Sequence, residues 1–352
     1  MQKKFHESFA LNGVSFQSET ELLTFSKEIS SEVHSFLVTW FDSSEVITVQ
    51  TSGSTGKPKQ IELGKAFMKN SAKATGSFFK SEEGTKALMC LSANYIAGKM
   101  MLVRALTLGW KLDVVTPDSN PLEKNVKQYD FSAMVPLQLQ NSLQQLYQIK
   151  TLIVGGGVVS DSLKNELNKI STKVYATYGM TETVTHIAVK QLNHINCYPN
   201  FYKVLPNVQI YKDNRNCLLI DAPNVAEELV ITNDVIELIS DNQFKWLGRY
   251  DNVVNSGGIK LQPEIIEQKL SKLISKRFFT VGIPDKILGE KLILIVENMP
   301  TETIRALKNK LLENDILGKY EVPKEILNVD KFVTTTTKKI QRRKTLDLLK
   351  LI

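Results

Sequence analysis

Residues 51 to 59 read Thr-Ser-Gly-Ser-Thr-Gly-Lys-Pro-Lys, and no other stretch restricts the fold and chemistry of this chain so strongly. The residues before it, Glu45 to Gln50, are rich in β-branched side chains and predict a strand. A strand that runs out into hydroxyls and glycines leaves free backbone N–H groups that can form an anion-binding nest. Gly53 and Gly56 permit the positive φ angles such a nest requires. The hydroxyls of Thr51, Ser52, Ser54 and Thr55 add donors, and Lys57 and Lys59 add positive charge, a combination suited to a polyphosphate. A Walker A loop needs Gly, four residues, then Gly-Lys-Ser/Thr. Here Thr51 stands where the first glycine should be and Pro58 follows Lys57, so the run is not a Walker loop.

Beyond the run, short β-rich segments at 87–91, 112–115, 131–135, 151–154 and 173–177 alternate with helix-period segments. The helices are expected near 96–108, ahead of Tyr147, and from Asp161 onward. This alternation predicts an α/β layer architecture with much parallel sheet. From Ile187 to Trp246 the pattern is strand-rich, with turn chemistry at Lys212-Asp213-Asn214-Arg215-Asn216, which predicts a β-rich subdomain. After Gly248-Arg249-Tyr250-Asp251 the character changes again. A helix near 263–274, strands at 278–283 and 292–296, and a helix from Thr301 predict a small α+β domain. The expected division is therefore 1–249 and 250–352, with a polar loop at Thr334 to Thr337.

Composition narrows the function classes. With 352 residues, 42% of them hydrophobic and 23% charged, the chain can bury a large core. Its uninterrupted apolar runs fall short of the roughly 20 residues of a membrane span, and the first residues lack the apolar core of a signal peptide. A cytoplasmic location is expected. Cys90, Cys197 and Cys217 are widely spaced and point to neither zinc nor a disulfide framework. The net charge of +7 suits anionic partners. Lysines are spread along the chain, without a helix-turn-helix or an aromatic RNA-binding signature, so the expected partners are small anions and not nucleic acid.

The order Ser-Gly-Ser-Thr-Gly-Lys-Pro-Lys resembles the phosphate loop of the adenylate-forming superfamily, and three further motifs follow in that family's order. Thr177-Tyr178-Gly179-Met180-Thr181-Glu182 resembles its Tyr-Gly-x-Thr-Glu. Thr232-Asn233-Asp234 stands where the family has Thr-Gly-Asp, and Gly248-Arg249-Tyr250-Asp251 matches Gly-Arg-x-Asp. Thr335 to Arg342 resembles Thr-x-x-Gly-Lys-Ile-x-Arg, with Lys338 in place of the glycine. The resemblance implies a large N-terminal α/β domain with a β-rich subdomain, truncated at its N-terminus, and a small C-terminal α+β domain. Only about 50 residues precede the phosphate loop, where the family has many more.

The resemblance also implies ATP, Mg²⁺ and coenzyme A. ATP would meet Thr51, Ser52, Gly53, Ser54, Thr55, Gly56 and Lys57, then Thr177, Tyr178, Gly179 and Met180. Tyr178 would pack on the adenine, Thr181 would bind the α-phosphate, Glu182 would ligate Mg²⁺, and Asp234 and Arg249 would take the ribose. Asn233 replaces a glycine, and asparagine tolerates the left-handed conformation such a turn would use. Asp251 would be the hinge, Gly257 and Gly258 would meet CoA, and Lys339 would be the catalytic lysine. Mg²⁺ commonly takes one or two carboxylates plus phosphate oxygens, which suits a lone Glu182.

For the acid, Ser92 to Arg104 resembles the acyl-pocket helix of o-succinylbenzoate-CoA ligases, where a glycine is followed six residues later by an arginine; Gly98 and Arg104 fit. In that family the arginine meets the succinyl-side carboxylate, a task suited to a guanidinium in an apolar pocket. Lys99 would add charge, Tyr95 stands where a histidine is frequent, and Gly155, Gly156 and Gly157 would let backbone approach the acyl-adenylate. His186 and His194 are read as structural or surface residues. The expected function is an ATP-dependent ligase that joins 2-succinylbenzoate to CoA, the alternatives being a CoA ligase for another acid or a noncatalytic adenylate-binding protein.

Overall fold

The computed structural model describes residues 4–50, 60–194, 200–313, 315–335 and 340–351. Their largest element is a continuous sheet of thirteen strands. One half is parallel: strands Ala10–Leu11, Lys111–Val114, Lys86–Met89, Tyr129–Met134, Ile149–Val154 and Lys173–Gly179 lie side by side in that order. The other half is antiparallel and continues through His186–Gln191, Tyr202–Val204, Gln243–Arg249, Val230–Ser240, Cys217–Asp221 and Gln209–Lys212, and the thirteenth strand, Val14–Ser15, pairs antiparallel with Ala10–Leu11 at the opposite edge. The strand-rich region foreseen after Ile187 is therefore an extension of the parallel sheet, hydrogen-bonded to it through Lys173–Gly179.

The parallel strands are covered on both faces, which is why they read as continuous apolar runs in the sequence. Ala87 and Met89 join a core shared with helices Glu19–Ile29, Ser31–Phe41, Lys65–Phe79 and Ile96–Leu108. Leu88 and Cys90 point the other way, into a second core with Leu139 and Leu163. Helix Ile96–Leu108 has the bounds its periodicity predicts, and it ends on Gly109 at φ 72°. Cys90 and Cys217 are free and buried, in keeping with small core residues. Cys197 lies outside the described residues.

The N-terminal region builds two consecutive helices. Ser18 accepts a hydrogen bond from the Glu21 backbone N–H, and Ser30 accepts from that of Glu32, so each helix begins on a serine cap. The second helix then reaches the sheet: Glu32 accepts from the Ser92 hydroxyl at 2.6 Å and from the Asn94 amide at 2.7 Å. Hairpin strands Val46–Gln50 and Gln60–Gly64 follow, with Gln50 paired to Gln60. The foreseen strand thus precedes residues 51–59, which lie outside the described residues.

Residues 254–329 form a second sheet of five strands, Val254–Ser256, Ile259–Leu261, Phe278–Asp285, Gly289–Glu297 and Glu325–Val329. Helices Pro263–Leu270 and Thr301–Glu313 pack on it. Arg342, the last residue of the motif that begins at Thr335, opens a short helix, Arg342–Leu348. Its guanidinium donates to Glu267 Oε2 at 2.8 Å and stands 4.0 Å from Glu264 Oε1, so two carboxylates share one cation. Burial, opposed by Arg342 and helped by Glu264, pushes the Glu267 carboxyl up to about 7.

Two predictions follow from this architecture. A Cβ on Gly98 would overlap the Ser92 carbonyl oxygen, so helix Ile96–Leu108 can lie against that loop only as a glycine helix. Gly98→Ala should lose on the order of 1–3 kcal/mol in urea unfolding; wild-type stability would contradict this packing. For Glu267 the folded state keeps a proton that the unfolded chain, titrating near 4.5, has already lost. Its contribution is fully present below about pH 4.5 and fades as pH rises through about 7. Glu267→Gln should flatten the unfolding midpoint across that window, whereas an unchanged fall would show that other groups cause it.

Candidate functional site

The carboxyl ends of the parallel strands converge on one edge of the sheet, where open α/β folds hold ligands. Strand Ile149–Val154 runs into Gly155, whose N–H donates to the Met134 carbonyl at 3.2 Å. The Thr177 hydroxyl donates to the Val154 carbonyl at 3.2 Å, and a Cβ on Gly155 would press on that hydroxyl. Gly156 takes φ 80°. The glycine run and the Thr177 motif are therefore adjacent, and the first is glycine partly because the second leaves no room for a side chain.

Strand Lys173–Gly179 ends beside His186, with which Gly179 is in register. A Cβ on Gly179 would overlap the Thr185 carbonyl oxygen and the His186 Cα, so this glycine permits the join between the parallel and antiparallel halves. Residues Thr181–Thr183 form a single 3-10 turn. Glu182 on that turn is exposed. A lone open carboxylate fits a Mg²⁺ that takes its other oxygens from phosphate and water, and among the described residues no cluster of three or more His, Cys, Asp or Glu could hold an ion by itself.

Three separated motifs meet around one carboxylate. The Tyr178 hydroxyl donates to Asp234 Oδ2 at 2.7 Å, and the Trp246 indole N–H donates to Asp234 Oδ1 at 3.0 Å. Asp234 is paired across the strands with Arg249, whose guanidinium stands 3.8 Å from Asp234 Oδ1 and donates to Asp251 Oδ2 at 3.1 Å. Beneath this set Tyr178 packs edge-on against Phe244 at 5.1 Å, and Phe244 stacks with Tyr202 at 5.4 Å. Burial, then the charge of Asp234, raises the Tyr178 phenol well above its ordinary value and pushes Tyr202 up to about 12. Both therefore stay neutral, and Tyr178 stays a donor.

Asn233 needs no left-handed turn: it sits inside strand Val230–Ser240 with an ordinary negative φ, which corrects the sequence expectation. Its amide donates to Asp251 and its carbonyl accepts from Arg215 at 2.9 Å. Asp251 lies in the 3-10 turn Tyr250–Asn252, just before the second sheet. Gly257 and Gly258, at φ 59° and 82°, make the two-residue hairpin turn between Val254–Ser256 and Ile259–Leu261, a turn whose central residues both need positive φ.

The acid-pocket candidates separate. Tyr95 is exposed at the start of its helix. Lys99 folds back to donate to the Ala93 carbonyl at 2.6 Å and lies 5.7 Å from the Phe36 ring, so it holds the loop that precedes its own helix. Arg104 is 2% exposed and points into the protein. His186, read as structural or surface, is buried against it, with Arg104 Nη2 3.4 Å from His186 Nδ1. Lys338 and Lys339 lie outside the described residues; the flanking Thr334 and Ile340 form an antiparallel bridge. Trp246 and Glu32 were not foreseen. Only pairing register brings Trp246 to Asp234, and the sequence carries no local sign of that register.

The family described as AMP-binding enzyme matches residues 10–233. The 2-succinylbenzoate–CoA ligase of Salmonella typhimurium is 25% identical over 289 residues, which are 77% of this chain and 62% of that one. This chain thus spans under two thirds of that relative's length. An acyl-CoA synthetase (AMP-forming)/AMP-acid ligase II-like protein from Dyadobacter fermentans is 38% identical with a TM-score of 0.61, covering 91% of this chain and 94% of that one. The o-succinylbenzoate coenzyme A synthetase of Bacillus subtilis, solved with ATP and magnesium ion, shares the fold at 18% identity and a TM-score of 0.70, over 96% and 84% of the two chains.

The hydrogen-bonded set at Asp234 makes a direct prediction. Asp234→Ala leaves the Tyr178 hydroxyl and the Trp246 N–H without their acceptor, and a buried donor left unpaired costs about 1–3 kcal/mol. Urea unfolding should show a loss of at least that order; a variant as stable as the wild type would mean that water replaces the carboxylate without penalty.

Proposed function

Because the chain belongs to the AMP-binding enzyme family, we propose that it is an AMP-forming acid–thiol ligase that activates 2-succinylbenzoate with ATP and passes it to coenzyme A. The observation that carries this reading is the meeting of three separate motifs at one carboxylate, Asp234, which accepts a hydrogen bond from Tyr178 and stands 3.8 Å from the Arg249 guanidinium. The Salmonella and Bacillus relatives support the choice of acid by name.

In this reading the ATP phosphates lie on Thr51, Ser52, Gly53, Ser54, Thr55, Gly56 and Lys57, tethered at the Gln50 and Gln60 pair. Tyr178 supports the adenine, with Thr177, Gly179 and Met180 beside it. Asp234 accepts from the ribose hydroxyls, sharing its oxygens with Tyr178 and Trp246, and Arg249 lies beside that carboxylate. Thr181 binds the α-phosphate, and Glu182 would hold a metal ion. Mg²⁺, when bound, offsets phosphate charge. An oxygen of the acid bonds to the α-phosphorus as the bond to pyrophosphate breaks; the CoA sulfur then bonds to the acyl carbon as AMP leaves. Such chemistry calls for positioning and charge stabilisation more than for a side-chain nucleophile. Residues 250–352 would move about Asp251, bringing Lys339 to the first step and Gly257 and Gly258 to the second.

Substrate-dependent exchange of pyrophosphate into ATP tests the proposal, run with 2-succinylbenzoate, benzoates and fatty acids. The wild type should exchange with 2-succinylbenzoate, and Lys339→Ala should lower the rate by roughly 10²–10³-fold, as for loss of one well-aimed charge-stabilising donor. Exchange with a different acid alone would replace the substrate, and no exchange with any acid would replace the reaction by plain nucleotide binding.

A further inference from the structure

Arg104 presents an electrostatic problem that its sequence neighbourhood does not solve. Its guanidinium is buried, and its partners are the Thr75 hydroxyl at 3.3 Å, the Met101 sulfur at 3.8 Å and the His186 ring at 3.4 Å, with no carboxylate among the described residues. Burial lowers its pKa only to about 10, so the charge persists at neutral pH. A buried cation without a counter-ion is costly and is ordinarily paired.

His186 resolves which ring nitrogen is left without a partner. A guanidinium can only donate, so His186 Nδ1 must be the acceptor in that contact. The ring is neutral, its pKa held well below the ordinary value by burial and then by Arg104. A neutral imidazole that accepts at Nδ1 must carry its proton on Nε2. That Nε2 is buried, and among the described residues it has no hydrogen-bond partner. His186 lines a cavity of about 240 Å³ beneath helix Lys65–Phe79, alongside Asn70, Ser71, Lys73 and Asn207, and none of the residues lining it is acidic. Arg104 itself does not line it.

We propose that His186, and not Arg104, is the group that reads the second carboxylate of a dicarboxylic acid, donating from Nε2 into this cavity while Arg104 fixes its tautomer from behind. This rests on the acid-activating reading above and revises its substrate contact. Arg104 becomes a positioning residue that supplies orientation and positive potential, and Lys73 adds charge at the rim. Gly179, by letting the His186 backbone come close, ties this donor to the nucleotide motif.

The test uses 2-succinylbenzoate and the two acids that each lack one of its carboxylates, 4-oxo-4-phenylbutanoate and 2-butanoylbenzoate, in pyrophosphate exchange. In the wild type the diacid should be preferred over whichever monoacid reacts. His186→Leu should erase that preference by roughly 10–100-fold through KM, as for the loss of one hydrogen bond to a charged group, while sparing the monoacid. His186→Gln, whose carbonyl can accept from Arg104 and whose amide can donate, should retain most of it. A loss shared equally by diacid and monoacid would overturn the inference. Imidazole ¹⁵N NMR on the wild type keeps the question open to decision whatever the variants do. It should show a neutral Nε2–H ring near pH 7 whose Nε2 resonance moves on adding 2-succinylbenzoate. A protonated Nδ1, or no movement, overturns the assignment. If the wild type adenylates none of the acids, the ligase reading fails, and the NMR titration alone decides whether His186 binds the diacid.

Discussion

Asp234 receives the Tyr178 hydroxyl on one oxygen and the Trp246 indole on the other, with Arg249 on the neighbouring strand 3.8 Å away. These contacts bind the last parallel strand to two strands of the antiparallel half, so the same carboxylate that organises the candidate nucleotide site also fastens the sheet together at its change of direction. Asp234 is largely buried, with two neutral donors and one cation around its carboxylate. A carboxylate still has acceptor capacity beyond two hydrogen bonds, which is what a diol would use.

The short region ahead of the hydroxyl-rich run has a definite structural task. Its second helix sends Glu32 to Ser92 and Asn94, and its Phe36 ring lies beside the Lys99 ammonium. The loop that opens helix Ile96–Leu108 is thus held from outside by Glu32 and from within by Lys99 and Gly98. Lys65, almost fully buried, pairs with Asp42 at 2.7 Å where the same region joins the hairpin. Lys99 therefore serves the scaffold.

Much of the fold was legible because its strands and helices carry strong periodicity: helix Ile96–Leu108 and strand Lys173–Gly179 fall where apolar spacing puts them. The candidate nucleotide motifs could be picked out because each is local in the sequence. What escaped was non-local. The Trp246 contact depends on register between strands 230–240 and 243–249, and the burial of His186 depends on Gly179 opening a gap one strand away. Asn233 invited a turn argument because the residue type tolerates one, yet the strand simply continues through it. Arg104 carried the right charge for an anion, but only coordinates could show a histidine standing between it and the cavity.

The most direct test of the central claim is an amide and indole NMR titration with ATP, read at the Trp246 Nε1–H. The chain has three tryptophans, and Trp40 and Trp110 are buried in the apolar core. If Asp234 accepts the ribose hydroxyls, the Trp246 indole resonance should shift saturably with ATP while those of Trp40 and Trp110 stay in place. Saturable ATP binding that leaves the Trp246 resonance unmoved would contradict the account.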